Sequence, residues 1–159
     1  MRSIIIENKK VFTEKLFIGN DFDNFLVSDV EICMGNTFNI SGKINKSFYS
    51  DEEYEALIEK DYVNWSHIKP ICFDIIKGKK TPTKFKMVFL LSKENLAKTL
   101  ESSGLSYTTE DVNAMFINVR YEGDVLVCTT GLSMKTFTLD KSLEEYWDNT
   151  VQKFVDMKF

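Results

Sequence analysis

With only 2 prolines and 7 glycines in 159 residues, the chain has little material for flexible linkers. Disordered chains are rich in such residues and poor in aromatics. Here 43% of the residues are hydrophobic and 13% aromatic, with 13 phenylalanines, so disorder is expected at most in the last residues. The length suits a single compact domain, residues 1–159, with a sizeable core. No apolar run approaches the roughly 18–20 residues that a membrane-spanning helix needs. The opening MRSIIIENKK turns polar after three isoleucines, which is too short for a secretory signal. The three cysteines, Cys33, Cys72 and Cys128, are an odd number, widely spaced among apolar neighbours. They read as free buried thiols of a reducing compartment, so a cytoplasmic protein without a membrane partner is expected.

Arginine is nearly absent as well, with Arg2 and Arg120 alone beside the lysines. The guanidinium fork carries most bidentate base and phosphate recognition, so its scarcity argues against a reader of base sequence. A net charge of -4 argues equally against a surface that coats nucleic acid all round.

The familiar constellations of catalysis are also missing. The one histidine, His67, would need a carboxylate to orient it and a nucleophile to serve. Cys72 is near in sequence, but Pro70 stands between them and reads as the first turn of a helix that starts after His67. There is no CxxC, HExxH or calcium loop, and no GxSxG or GxGxxG. GKKT at Gly78–Thr81 resembles the end of a phosphate-binding loop, but Phe73 stands where its first glycine belongs and Lys80 where Ser or Thr belongs. The pairs Glu52/Glu53 and Glu144/Glu145 fall in first helical turns, where acidic residues complement the helix dipole. Neither a metal nor a cofactor is expected.

What the chain does have is lysine. KGKKTPTKFKMVF, residues 77–89, carries Lys77, Lys79, Lys80, Lys84 and Lys86 with no acidic residue between Asp74 and Glu94. Strand alternation puts Lys84 and Lys86 on one face and Phe85, Met87 and Phe89 on the other. Four cations on one patch could neutralise several phosphates. They also suit a solvated helix end and a guarded edge strand.

Periodicity fills in the rest. A strand at Ser3–Ile6 precedes a helix over 8–18. Leu26, Val30, Ile32 and Met34 share one parity of a strand, a Gly35-Asn36 turn follows, and TFNISGKI resumes alternation. Ser50 with Glu53 forms a capping box for a helix over 51–59. A helix over 69–77 closes at Gly78. The strand 84–91 leads to a helix over 93–102 capped by Ser92. A hairpin over Glu122-Gly123-Asp124 follows, then a third strand at MKTFTLD. A helix over 142–156 with a Ser142/Glu145 capping box ends the chain. The fold class is therefore α+β, antiparallel sheet covered by helices. SDEEY and SLEEY occupy corresponding places in halves of about 1–60 and 84–159, which suggests an internally duplicated β-α-β-β-(β)-α unit joined by the 69–77 helix.

Three stretches, FDNFLVSDVEICMGNTFNISGKINKSFYSDEEY, KPICFDIIKGKKTPTKFKMVF and DVNAMFINVRYEGDVLVCTTGLSMKTFTLDKSLEEYWDNTVQKF, resemble a family of uncharacterised bacterial proteins known only as a domain of unknown function. The resemblance spans nearly the whole chain and implies no activity. The duplicated architecture is also similar to one domain of the DNA sliding clamps, in which two helices face DNA. That similarity implies nucleic-acid contact through Lys9, Lys10 and Lys15 of the first helix and Lys93 and Lys98 of the fourth.

These readings converge on a non-catalytic binding or assembly protein that contacts nucleic acid through its lysines. Two alternatives stand beside it. One is an enzyme or small-molecule binder with an unfamiliar site near Trp65, His67 and Cys72. The other is a protein-interaction module, with another protein or a second copy of the chain as partner.

Overall fold

A computed structural model describes residues 1–159. Seven strands form one antiparallel sheet in the order β1-β7-β6-β5-β2-β3, with β4 beside the start of β2. The strands are β1 (Ser3–Ile5), β2 (Leu26–Cys33), β3 (Thr37–Ser41), β4 (Val63–Asn64), β5 (Lys84–Leu90), β6 (Val112–Glu122) and β7 (Val125–Met134). The helices are α1 (Lys9–Phe17), α2 (Asp51–Ala56), α3 (Trp65–Ile76), α4 (Lys93–Ser103) and α5 (Ser142–Lys158). The protein is thus of the α+β class. No helix is long and apolar enough to cross a membrane.

The alternation of the strands decides which face is buried. Met87 lies opposite Val30 and Val119, and Val119 opposite Cys128, so one register row gives a continuous apolar face. The buried side chains of α1, α3, α4 and α5 join that face in one cluster of 27 residues. The other face carries the charges, with Glu31, Lys86 and Arg120 side by side across β2, β5 and β6. One irregularity shifts the expected parity of β2. A bulge between Val27 and Asp29 puts Val27, rather than Leu26, on the helix-covered face with Val30 and Ile32.

Phenylalanine holds the helices to the sheet. Phe22 meets Phe12 at 5.4 Å, Phe89 at 5.2 Å, Phe154 at 5.5 Å and Phe159 at 5.7 Å between ring centroids, linking α1, β5 and α5. Trp65 is fully buried and donates its indole N–H to the Leu16 carbonyl at 2.9 Å, which ties the start of α3 to the end of α1.

Four local readings need correction. α3 starts at Trp65 and carries Pro70 in its interior. The loss is one hydrogen bond, to the carbonyl of exposed Ser66, and burial of Trp65, Ile68 and Cys72 on one stripe outweighs it. The strand expected at MKTFTLD does not form. β7 ends at Met134, and Phe137 and Leu139 beyond it are 89% and 82% exposed, on a segment that leaves the sheet toward the start of α5. Ser142 is not the cap of α5. The Asp140 carboxylate accepts the Ser142 N–H at 3.0 Å instead, so the expected box with Glu145 is absent. Finally, the two halves share an element order but not a pairing. β5 and β6 are neighbours joined through α4, whereas β1 and β2, joined through α1, lie in distant parts of the sheet. The Ser50/Glu53 box, the Ser92 cap and the hairpin turn at Gly123-Asp124 form as expected.

Candidate functional site

The lysines divide between the two ends of the sheet. β5 starts at Lys84 beside Glu122, so the 77–83 loop and the β6–β7 turn share one end. α4 starts beyond the other end of β5, about 20 Å away at roughly 3.3 Å per residue. Lys77, Lys79, Lys80, Lys84 and Lys86 are therefore apart from Lys93 and Lys98.

At the first end several cations are already partnered. Lys77 pairs with Asp74 at 3.0 Å, Lys84 with Glu31 at 3.2 Å and Lys9 with Asp124 at 2.9 Å. Lys79, Lys80 and Lys86 are exposed and make no ion pair, and neither does Lys10 on α1. Lys15 instead donates to the Lys158 carbonyl at 2.7 Å, closing the C-terminus of α5 against α1.

The second end is concave. A cleft of about 980 Å³ opens between the 42–64 segment, the start of α3 and the start of α4. Its rim carries Asn24, Asn64, Ser66, His67, Ser92, Glu94 and Asn95. An apolar slot of about 210 Å³ adjoins it, walled by Phe25, Leu91, Ile117, Trp147, Val151 and Phe154 between α4 and α5. Asn95 and Lys98 line both spaces. They stand one turn apart on the flank of α4, outside its buried Leu96 and Leu100. Lys98 pairs with Glu94 at 2.8 Å, and its hydrogen bond holds the Glu94 carboxyl below the usual range.

The cleft keeps its shape because its outer wall is fastened by two adjacent residues of opposite charge. Glu59 accepts the backbone N–H of Lys93 at 3.0 Å, occupying the N-terminus of α4. Lys60 donates to the carbonyls of Tyr54, Glu55 and Leu57 at 2.6, 3.1 and 3.0 Å, occupying the C-terminus of α2. Its ammonium also lies 4.8 Å from the centre of the Tyr54 ring, with Lys46 at 4.9 Å from the same centre.

Of the expected trio, only His67 reaches this space. Trp65 and Cys72 point into the core and are fully buried. Burial pushes the Cys72 thiol up to about 12, so it is no nucleophile near neutrality. His67 and Cys72 lie on different faces of α3, and the proposed partnership between them is not made. No group of three or more His, Cys, Asp or Glu is placed to hold a metal. The cleft itself left no one-dimensional signature. Its members come from four separate elements, and of them the sequence marked only His67 and Lys98 as candidate contacts.

The class is an α+β protein with one antiparallel sheet, helices over a single face, and a cleft where α3, α4 and α5 meet. Within that class the chain belongs to the family of unknown function DUF5721, whose model matches residues 15–158. No curated protein and no solved structure matches it.

Proposed function

We propose that this is a non-catalytic binding protein whose ligand is a small amphipathic molecule with its apolar part in the slot and its head group at the residues shared with the cleft. One observation carries the reading: an apolar slot and a polar cleft share two lining residues, an amide and an ammonium, Asn95 and Lys98. Ligand sites are typically concave and apolar with a few convergent polar groups. A dry cavity of about 150 Å³ accepts a benzene ring, so the slot has room for an aromatic ring or a short alkyl chain. The head group then meets Asn95, Thr99, Thr150 and Lys98. An anionic head competes with Glu94 for Lys98.

The test uses anilinonaphthalene sulfonate, an apolar ring system with one negative charge, titrated against the folded protein. Saturable binding is expected, weakened in Lys98→Glu and lost in Thr150→Trp, where the indole fills the slot. Circular dichroism confirms that both variants are folded. Equal binding by wild type and both variants would sink the reading.

A second reading rests on Lys79, Lys80 and Lys86, three cations without acidic partners at the other end of the sheet. It makes that end a sequence-tolerant contact for nucleic-acid backbone. Binding to short single- and double-stranded DNA across a salt series tests it, beside a variant with all three changed to Glu. Neutralising three phosphates predicts a log–log salt slope of about -2 to -3. No binding at low salt retires it.

A further inference from the structure

Both outer strands of the sheet present unpaired backbone, but they are protected differently. β1 is three residues long and stands between Arg2 and Glu7. β3, Thr37–Ser41, is five residues long and has no Lys, Arg, Asp, Glu or Pro. Short length, charge and proline are the usual devices that keep an edge strand single, and β3 has none of the chemical ones.

The direction of its free groups follows from the pairing with β2. Gly42 N–H donates to Ser28 O at 2.8 Å, and Met34 N–H to Asn36 O at 2.9 Å. Hydrogen-bonded pairs alternate along an antiparallel ladder. Ile40 and Phe38 therefore spend their N–H and C=O groups on Val30 and Ile32. Those of Thr37, Asn39 and Ser41 point away from the sheet, and all three residues are exposed.

We propose that β3 is a dimerisation edge, pairing antiparallel with β3 of a second copy about a two-fold axis through Asn39. The sequence Thr-Phe-Asn-Ile-Ser is close to a chemical palindrome, and the two-fold register uses it fully. Asn39 faces its own copy and Thr37 faces Ser41, all residues whose backbone groups point outward, which gives about six new main-chain hydrogen bonds. Phe38 falls opposite Ile40 on the helix-covered side, where both are half-buried in the single chain. Aromatic and β-branched residues are a favourable cross-strand pair. No like charges meet. An axis at Phe38 or Ile40 instead would pair only two outward residues of each β3 and form about four such bonds, so the Asn39 axis is the fullest register. A foreign strand would gain the backbone bonds without this match, which is why a second copy is the fitting partner. The closed two-fold contact uses each edge once and stops at two chains.

Sedimentation velocity over a concentration series to about 0.5 mM tests the proposal. A species of twice the 18.4 kDa chain is expected for wild type. Asn39→Pro removes one outward N–H and no bond to β2, and Thr37→Lys adds a guard on the exposed face. Both are expected to sediment as monomers, with unfolding midpoints in dilute solution unchanged from wild type. Three results would overturn the proposal: a wild type that stays monomeric throughout, a dimer that survives both substitutions, or open-ended association beyond two chains.

Discussion

The carboxylate of Glu59 accepts the backbone N–H of Lys93 at 3.0 Å, across 34 residues of chain. This one bond joins the 42–64 segment to α4 and so fixes the width of the candidate cleft.

Removing that bond in Glu59→Ala is expected to loosen the wall more than the fold. The contact is exposed, so the stability loss is about 0.5–1 kcal/mol. For a chain of this size that is a drop of a few degrees in Tm. Hydrogen exchange is the sharper measurement. The Lys93 amide and the backbone of 57–64 should exchange faster, with β5 and β6 unchanged.

A second prediction concerns a buried polar pair. Thr130 donates its hydroxyl to Asp148 on α5, and both are nearly fully buried. Thr130 also accepts the Arg2 N–H at 2.8 Å. Thr130→Val keeps the shape and strips both bonds, leaving the Asp148 carboxylate short of a donor. The expected cost is about 1–3 kcal/mol, read from the urea midpoint. A variant as stable as wild type would mean water reaches Asp148 freely.

Gly42 is where the chain leaves β3. A Cβ there would lie 1.7 Å from the Val27 carbonyl oxygen, a backbone atom that cannot swing aside. Gly42→Ala is expected to destabilise by at least about 2 kcal/mol. Because Gly42 also accepts the Val63 N–H at 3.0 Å, β4 and the cleft wall should loosen with it. Thermal unfolding checks the first effect and anilinonaphthalene sulfonate binding the second.

The thiols give the pH prediction. Burial pushes Cys72 and Cys128 from an ordinary 9.0 up to about 12 in the folded state. Unfolded thiols ionise first, so this contribution to stability is whole below pH 9 and is lost as pH rises from 9 toward 12. Urea unfolding at about pH 8 and about pH 10.5 should show the fall, with a smaller one in the Cys72→Val, Cys128→Val double variant. In the native protein near neutral pH, a thiol reagent should label Cys33, which is half-buried, and spare the other two.

Much of the architecture was legible because it is written in local periods. Phe85, Met87 and Phe89 alternate with Lys84 and Lys86, and the structure buries the first set and turns the second outward. Ser50 with Glu53 and Ser92 with the Asn95 amide are caps that need only their own few residues. The α+β class follows from such patterns. Where local signals misled, a long-range contact outweighed them. Pro70 reads as a helix start, yet Trp65 burying itself against Leu16 and Phe89 begins α3 earlier. MKTFTLD reads as a strand, yet the chain leaves the sheet after Met134 and Asp140 accepts the Tyr107 hydroxyl at 2.6 Å beside the start of α5.

Periodicity thus determined which residues are strands and helices and which side of each is apolar, because those depend on neighbours one to four positions away. The tertiary structure alone decided that β1 pairs with β7, that the two groups of lysines stand at opposite ends of β5, and that Glu59 and His67 line a cleft which shares Asn95 with the slot lined by Phe154. Those are properties of chain crossings between elements tens of residues apart. Burial of a single shared core sets them, and no short window of sequence contains that core.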